Sequence, residues 1–300
     1  MKEIIDIVPK DEVVVLGADL VYGQKSYWCG AGYYPLKMSL LRPRTFFYYD
    51  PKKEPRPCIV FLCGGGWTEV DHNVWIPELT YFAKHGYVVA SVSYSLAPTW
   101  FHPEPLKDVK LAIRYLRAHA EELGIDPKHI AVMGESAGAY FAAMAAVTGE
   151  TLEFDQGDYL EQSSSVQCAV TWYACIDLPD LEGRGEYESY RTRPQYLMRG
   201  LDFEPQSLYA GRSCLRDDIQ LSRAVDPRSY ITKKTPPFLL LHGTADSQVD
   251  VYNSQTLYES LQRQGVKSDF LIVKGAEHAD ARFLQEPIKE RILQFLQENI

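Results

Sequence analysis

Six short runs of almost uninterrupted apolar residues constrain this chain more than any other feature. They fall at residues 58–63, 87–92, 129–133, 168–173, 238–241 and 270–273. A strand with one wet face alternates polar and apolar residues, whereas a strand covered on both faces reads as a continuous apolar run. Helical patterns lie between the runs. Residues 104–122 carry Leu106, Val109, Ile113 and Leu116 at spacings of three and four, an amphipathic stripe. Residues 137–147 are rich in Ala and Met, which suits a helix packed tightly behind a strand. Residues 251–264 and 287–298 read as late helices, the second with Pro287 in its first turn. Strand alternating with helix predicts a doubly wound α/β fold, a mostly parallel eight-stranded sheet with helices on both faces. Residues 13–16 and 36–41 add an early, hairpin-like antiparallel pair.

Length sets the domain count. A chain of 300 residues buries roughly three quarters of its unfolded surface, so residues 1–300 read as one domain with a full core. One stretch breaks the alternation. Between Asp177 and Pro237 the periodicity fades into clustered Arg, Tyr, Gly and Pro. A structureless loop of that length is uncommon in a compact domain, so residues 178–236 are expected to form a partly helical cap over the strand ends.

Charge and cysteine content narrow the surroundings. Forty acidic against 31 basic residues give a net charge of −9, which argues against a nucleic-acid partner. No apolar stretch approaches the ~18 residues of a spanning helix, so no membrane partner is expected. Asp6, Lys10, Asp11 and Glu12 interrupt any secretory apolar region. The six cysteines, Cys29, Cys58, Cys63, Cys168, Cys175 and Cys214, form no CxxC pair and no metal-ligand spacing. Reduced, buried thiols and a cytoplasmic location are the expectation. Oligomeric state is not encoded in any of these features.

The strongest chemical signal is Gly134-Glu135-Ser136-Ala137-Gly138, after an apolar run and before the Ala-rich helix. That context makes G-x-S-x-G a nucleophile turn, because a sharp strand-to-helix reversal needs small neighbours and aims the hydroxyl outward. A serine needs a base, and the base an orienting carboxylate. Asp246, in His242-Gly-Thr-Ala-Asp246, lies just past one apolar run, and His278, in Gly275-Ala-Glu-His278, just past the next. In an open α/β sheet these loops share one rim, so Ser136, Asp246 and His278 converge there. Asp250 is the rival acid, farther from the strand end. Of the other histidines, His85, His119 and His129 sit near helix ends, His102 follows a proline-containing loop, and His242 is placed to brace the acid loop. Cys63-Gly64-Gly65-Gly66-Trp67 follows another buried run, and consecutive glycines let backbone N–H groups turn toward one point. With the Ala137 amide they would form a site for a developing oxyanion. No Lys-Ser/Thr follows the glycines, which disfavours a phosphate cradle.

With Gly64-Gly-Gly-Trp67, Tyr94-Ser-Leu-Ala-Pro98, Asp108, Gly134-Glu-Ser-Ala-Gly138, His242-Gly-Thr-Ala-Asp246 and Gly275-Ala-Glu-His278 in place, most of the chain resembles the α/β-hydrolase superfamily. Within it, the similarity is to esterases of the hormone-sensitive-lipase and feruloyl or acetylxylan esterase groups. The resemblance implies Ser136 as nucleophile, His278 as base, Asp246 as its orienting acid, and Gly65, Gly66 and Ala137 as the oxyanion hole. It implies no metal and no organic cofactor. The family usually has His where this chain has Cys63, which puts the rigidity of the glycine loop in question.

The implied reaction is hydrolysis of short-acyl (acetyl) or hydroxycinnamoyl esters through an acyl-enzyme, with small-molecule or plant-oligosaccharide esters as substrates. Trp67 has two readings, a substrate-binding wall on the acyl side or a core residue behind the glycine loop. Tyr187, Tyr190, Arg191, Arg193, Tyr196 and Arg199 of the expected cap would suit sugar or aromatic alcohols, or form a solvated surface. Asp71 and His72 read as a substrate contact or a simple turn, and Asp108 as a structural ion pair. The alternatives are an arylformamidase with the same triad, and a non-catalytic small-molecule-binding protein on the same fold.

Overall fold

A computed structural model describes residues 2–8, 13–27, 29–43, 54–97, 99–178 and 219–300. Its strands are β1 (Val14–Tyr27), β2 (Gly32–Pro43), β3 (Arg56–Leu62), β4 (Val88–Val92), β5 (Ile125–Glu135), β6 (Cys168–Trp172), β7 (Phe238–Gly243) and β8 (Ser268–Val273). They form one eight-stranded sheet in the order β1-β2-β4-β3-β5-β6-β7-β8. The pairs β1/β2 and β2/β4 are antiparallel and every other pair is parallel. This is the expected α/β-hydrolase architecture. The hairpin is longer than its apolar pattern predicts, because register shifts at Gly17/Leu20 and Val21/Gly23 break the two-residue alternation.

Helices cover both faces. They are α1 (Ile76–Lys84), α2 (Glu104–Ala118), α3 (Ala120–Leu123), α4 (Ala137–Val147), α5 (Ile219–Ala224), α6 (Tyr252–Arg263) and α7 (Glu286–Asn299). Successive residues of β3 point alternately into two cores. Cys58, Val60 and Leu62 meet side chains from α2, α4 and α6, while Ile59, Phe61 and Cys63 meet those from α1 and α7. That double burial is why the strand sequences carry no polar alternation. Two helices differ from expectation. The predicted helix over 104–122 breaks at His119, and α1 has no counterpart in the periodicity, since its nine residues bury only Leu79, Phe82 and Ala83.

The fold positions a site at one rim. The chain leaves β3 toward β4 on one side and later returns to place β5 on the other. The loops after β3 and β5 therefore part at a topological switch point, where open α/β sheets hold their ligands. Asp108 of α2 is the structural ion pair expected. Its carboxylate takes the Lys25 ammonium at 3.0 Å, the Ser95 amide at 2.9 Å and the Ser95 hydroxyl, tying the loop after β4 to the hairpin.

Residues 179–218 of the predicted cap, including the Tyr and Arg cluster, lie outside the described residues. The chain on either side of them is fastened to the sheet layer. Asn253 Oδ1 accepts the amides of Ile176 and Asp177 at 2.9 and 2.8 Å, and Arg228 bridges Asp177 at 2.9 Å. Tyr140 donates its hydroxyl to the Val225 carbonyl at 2.8 Å. Cys58, Cys63, Cys168 and Cys175 are free and buried as expected, whereas Cys29 is exposed.

The first turn of α4 lies directly against the end of β3. A Cβ on Gly138 would sit 2.1 Å from the Leu62 carbonyl oxygen, a backbone atom that cannot swing away. Gly138→Ala is expected to cost on the order of 1–3 kcal/mol through overpacking. Urea denaturation would measure this, alongside a loss of activity as the Ser136 turn is pushed off β3.

Candidate active site

Ser136 occupies the turn between β5 and α4 with φ 52° and ψ −122°, a left-handed backbone that a non-glycine residue adopts only under constraint. The constraints are visible. The Ser136 amide donates to the Trp172 carbonyl at 3.0 Å, and its carbonyl accepts the Tyr140 amide at 3.1 Å. The hydroxyl Oγ lies 2.9 Å from His278 Nε2, and His278 Nδ1 lies 2.8 Å from Asp246 Oδ2. Three residues spread over 142 positions of the chain thus form one hydrogen-bonded line.

Asp246 is held on every side. Oδ1 accepts the amides of Gln248 and Val249, each at 2.9 Å, while Oδ2 faces His278 and, at 3.3 Å, His242 Nε2. Burial alone would raise its pKa, but the bonds from His242, His278 and Val249 outweigh that and hold it well below the usual carboxylate range. The carboxylate therefore stays ionised wherever the imidazole needs a counter-charge. His242 is the brace expected from sequence. It is fully buried, with Nδ1 2.7 Å from the Ser254 hydroxyl and Nε2 2.8 Å from the Val249 carbonyl. The rival Asp250 instead accepts the Tyr252 amide at the start of α6, 2.8 Å away.

The glycine loop follows β3. Gly65 has φ +135°, and a Cβ there would fall 1.7 Å from the Glu69 carbonyl oxygen, so only glycine fits the turn. Its own carbonyl accepts the amides of Thr68 and Glu69 at 3.2 and 3.0 Å. The Cys63 carbonyl accepts the Tyr94 hydroxyl at 2.6 Å, and the Trp67 carbonyl accepts the Ala97 amide at 3.0 Å. Among the described residues, no acceptor takes the amides of Gly65 and Gly66. Ala137 opens α4, so its N–H has no helical acceptor either. The loop meets the Ser136 turn at Gly64, where an added Cβ would lie 2.8 Å from the Ser136 Cβ.

Other sequence candidates are accounted for. Trp67 is 3% exposed and packs edge-on against Tyr140 with ring centroids 6.0 Å apart, as its core reading expects. Asp71 caps the Asn73 amide at 2.9 Å, and His72 points toward Asp19 of β1 at 3.1 Å, so the pair forms a turn facing the hairpin. His102 hydrogen-bonds the Ala224 backbone, and burial lowers its pKa to about 4. It takes no part in the triad's hydrogen bonds. The residue that sequence reasoning passed over is Glu135, the variable position of G-x-S-x-G. Its side chain turns inward and accepts the Gly64 amide and, at 3.2 Å, the Trp75 indole N–H. The only signal in the sequence was an ionisable residue at the end of an apolar strand.

The BD-FAE family model matches residues 46–261, more than two thirds of the chain. The chain belongs to the BD-FAE family. A probable isoprenylcysteine alpha-carbonyl methylesterase, ICMEL1, of Arabidopsis thaliana is 30% identical over 250 residues, covering 80% of this chain and 49% of the relative. The chain spans about half the length of the curated relatives it matches. Among solved structures, a truncated carbohydrate esterase from gut microbiota superposes with a TM-score of 0.73 at 20% identity, covering 97% of this chain and 98% of that one. Esterase 2 of Thermogutta terrifontis, bound to propionate, gives 0.69 at 25% identity over 94% of each chain. Among the described residues of this BD-FAE member, no helix is long and apolar enough to cross a membrane.

Asp246→Asn keeps the shape of the acid but removes its charge and disturbs the imidazole tautomer. It is expected to lower kcat by about three to four orders of magnitude. Asp250→Asn, measured beside it under the same steady-state conditions, is expected to stay within a few-fold of wild type.

Proposed function

We propose that this chain is a serine carboxylesterase that hydrolyses short-acyl (acetyl) or hydroxycinnamoyl esters, with plant-oligosaccharide fragments as the natural alcohol side. The observation that carries this reading is the Ser136–His278–Asp246 line, with spacings of 2.9 and 2.8 Å. In the reaction, His278 Nε2 takes the Ser136 proton as Oγ attacks the ester carbonyl. The amides of Gly65, Gly66 and Ala137 stabilise the oxyanion of the tetrahedral intermediate. The alcohol leaves with the proton from His278, and water repeats the sequence on the acyl-enzyme to release the acid and regenerate Ser136. Asp246 holds the imidazole so that Nε2 faces the serine, and its negative charge stabilises the imidazolium.

Two further observations support the substrate class. The Thermogutta terrifontis esterase, with the same fold, binds propionate, a short-chain carboxylate. On this chain, β2 runs antiparallel to β4 and Met38 pairs with Val92, so the tip of the hairpin extends past the strand ends onto the catalytic side. There Trp100 packs against Tyr34 and Tyr27 at 4.8 and 5.9 Å between ring centroids, with Tyr27 half exposed. Aromatic faces of this kind suit the apolar face of a sugar or a phenolic ring.

The test is a comparison of wild type and Ser136→Ala on p-nitrophenyl acetate, p-nitrophenyl butyrate, acetylated xylo-oligosaccharide, methyl ferulate and N-formylkynurenine. The expected outcome is turnover of acetyl esters or methyl ferulate by wild type, falling at least about 10³-fold in the variant. A preference for N-formylkynurenine would move the protein to the formamidase class. Binding without Ser136-dependent turnover of any of the five would make it a binding protein on an esterase fold.

A further inference from the structure

The residue that leads into the glycine loop does not brace it through its side chain, so another group must keep the loop amides in place. Cys63 contributes only its backbone carbonyl, and its thiol is turned to the Ser91 hydroxyl, 3.9 Å away. We propose that Glu135 is the positioning residue of the oxyanion hole, a buried carboxylate that fastens the glycine loop to the nucleophile turn and faces the catalytic imidazole. The proposal deepens the esterase reading and rests on it for its kinetic consequences.

The geometry is direct. Glu135 immediately precedes Ser136 and is 7% exposed. Its Oε1 accepts the Gly64 amide, one residue before the two proposed oxyanion donors. The same oxygen accepts the Trp75 indole N–H at 3.2 Å, from the residue that leads into α1. A Cβ on Gly64 would lie 2.7 Å from both carboxylate oxygens and 2.8 Å from the Ser136 Cβ, so loop, carboxylate and nucleophile are in mutual contact. The hydroxyl of Tyr173 faces the same carboxylate, while its ring packs edge-on against His278 with centroids 4.6 Å apart. Tyr173 holds a left-handed φ of 40° and its amide donates to the Leu241 carbonyl at 2.7 Å. One carboxylate therefore joins four segments: the ends of β3, β5 and β6, and the start of α1.

The electrostatics are those of a working group. Burial raises the Glu135 pKa, and the Gly64 amide, the Trp75 indole, His278 and Tyr173 oppose that rise. A buried carboxylate is costly unless it is well bonded. Turning the Gly64 amide away would cost this buried carboxylate one of its three donors, so the loop is held where Gly64 can reach it. His278 also lies close enough to favour the charged form of this carboxylate.

The test uses Glu135→Ala, Glu135→Gln and Trp75→Phe in the full chain, with two readouts. The first is hydrogen–deuterium exchange of the segment 63–69, which needs no turnover. The second is steady-state kinetics on p-nitrophenyl acetate together with inhibition by phenylboronic acid, whose tetrahedral serine adduct uses the same amides. In Glu135→Ala, exchange of 63–69 is expected to rise while β3 stays protected. The kcat should fall about 10- to 100-fold with KM within about two-fold, and boronate inhibition should weaken in parallel. Glu135→Gln retains an acceptor for Gly64, so it should restore most of the loop protection and part of kcat. Trp75→Phe should give a smaller effect of the same kind. Unchanged exchange of 63–69 in Glu135→Ala would overturn the proposal, as would a loss confined to KM. If the wild type turns over no ester, the esterase reading fails by itself, and the exchange result still decides whether Glu135 holds the loop.

Discussion

The catalytic rim depends on one close backbone approach, the first turn of α4 resting on the end of β3. Because Gly138 has no side chain, α4 comes within reach of the Leu62 and Cys63 carbonyls. That contact forces the chain to reverse within a single residue, and Ser136 takes the strained conformation as a result. It also sets the glycine loop beside the serine, since the loop begins where β3 ends. Strain at this residue is compensated by neighbours that over-determine it, here the Trp172 and Tyr140 backbone bonds and the double-sided core beneath.

From that contact the polar layer follows. Two carboxylates stand close to the imidazole, and their environments push them apart. Asp246 gathers two backbone amides and two imidazoles, which outweigh the cost of its burial and keep it ionised. Glu135 is the more deeply buried of the two and collects fewer donors, and its pKa is raised. Placing two titratable groups in contrasting surroundings lets one act as permanent counter-charge and the other as a bonded fastener of the loop. His242 extends the arrangement outward, fixing the acid loop to α6 through Ser254.

Much of this was legible in the residues. The strands are buried on both faces and so wrote themselves as apolar runs, and α4 was readable to its ends because every position in it is small or apolar. The order Ser, Asp, His, each just past a strand, pointed to the proposed triad, since strand ends of a parallel sheet share a rim. Other features were hidden for identifiable reasons. The bulges of β1 scrambled its alternation. Helix α1 is too short for a period to emerge. The preference for Asp246 over Asp250 rested in the sequence on distance from the strand end alone, whereas the loop turns Asp246 inward to His242 and leaves Asp250 to accept the Tyr252 amide. Glu135 had no pattern at all, because its partners, Gly64, Trp75 and Tyr173, come from three distant segments.

The sequence by itself determined the fold class and put forward Ser136, His278 and Asp246 as proposed nucleophile, base and acid, because both readings depend on local rules of burial, period and turn. Only the tertiary structure decided which groups surround them: that Trp67 lies behind the loop, that Asp108 serves Lys25 and Ser95, and that Glu135 faces the oxyanion loop. Those outcomes depend on which segments the sheet order brings together. A side chain's local sequence carries no record of partners sixty or a hundred residues away. Burial then makes those partners consequential, since polar groups removed from water must find one another.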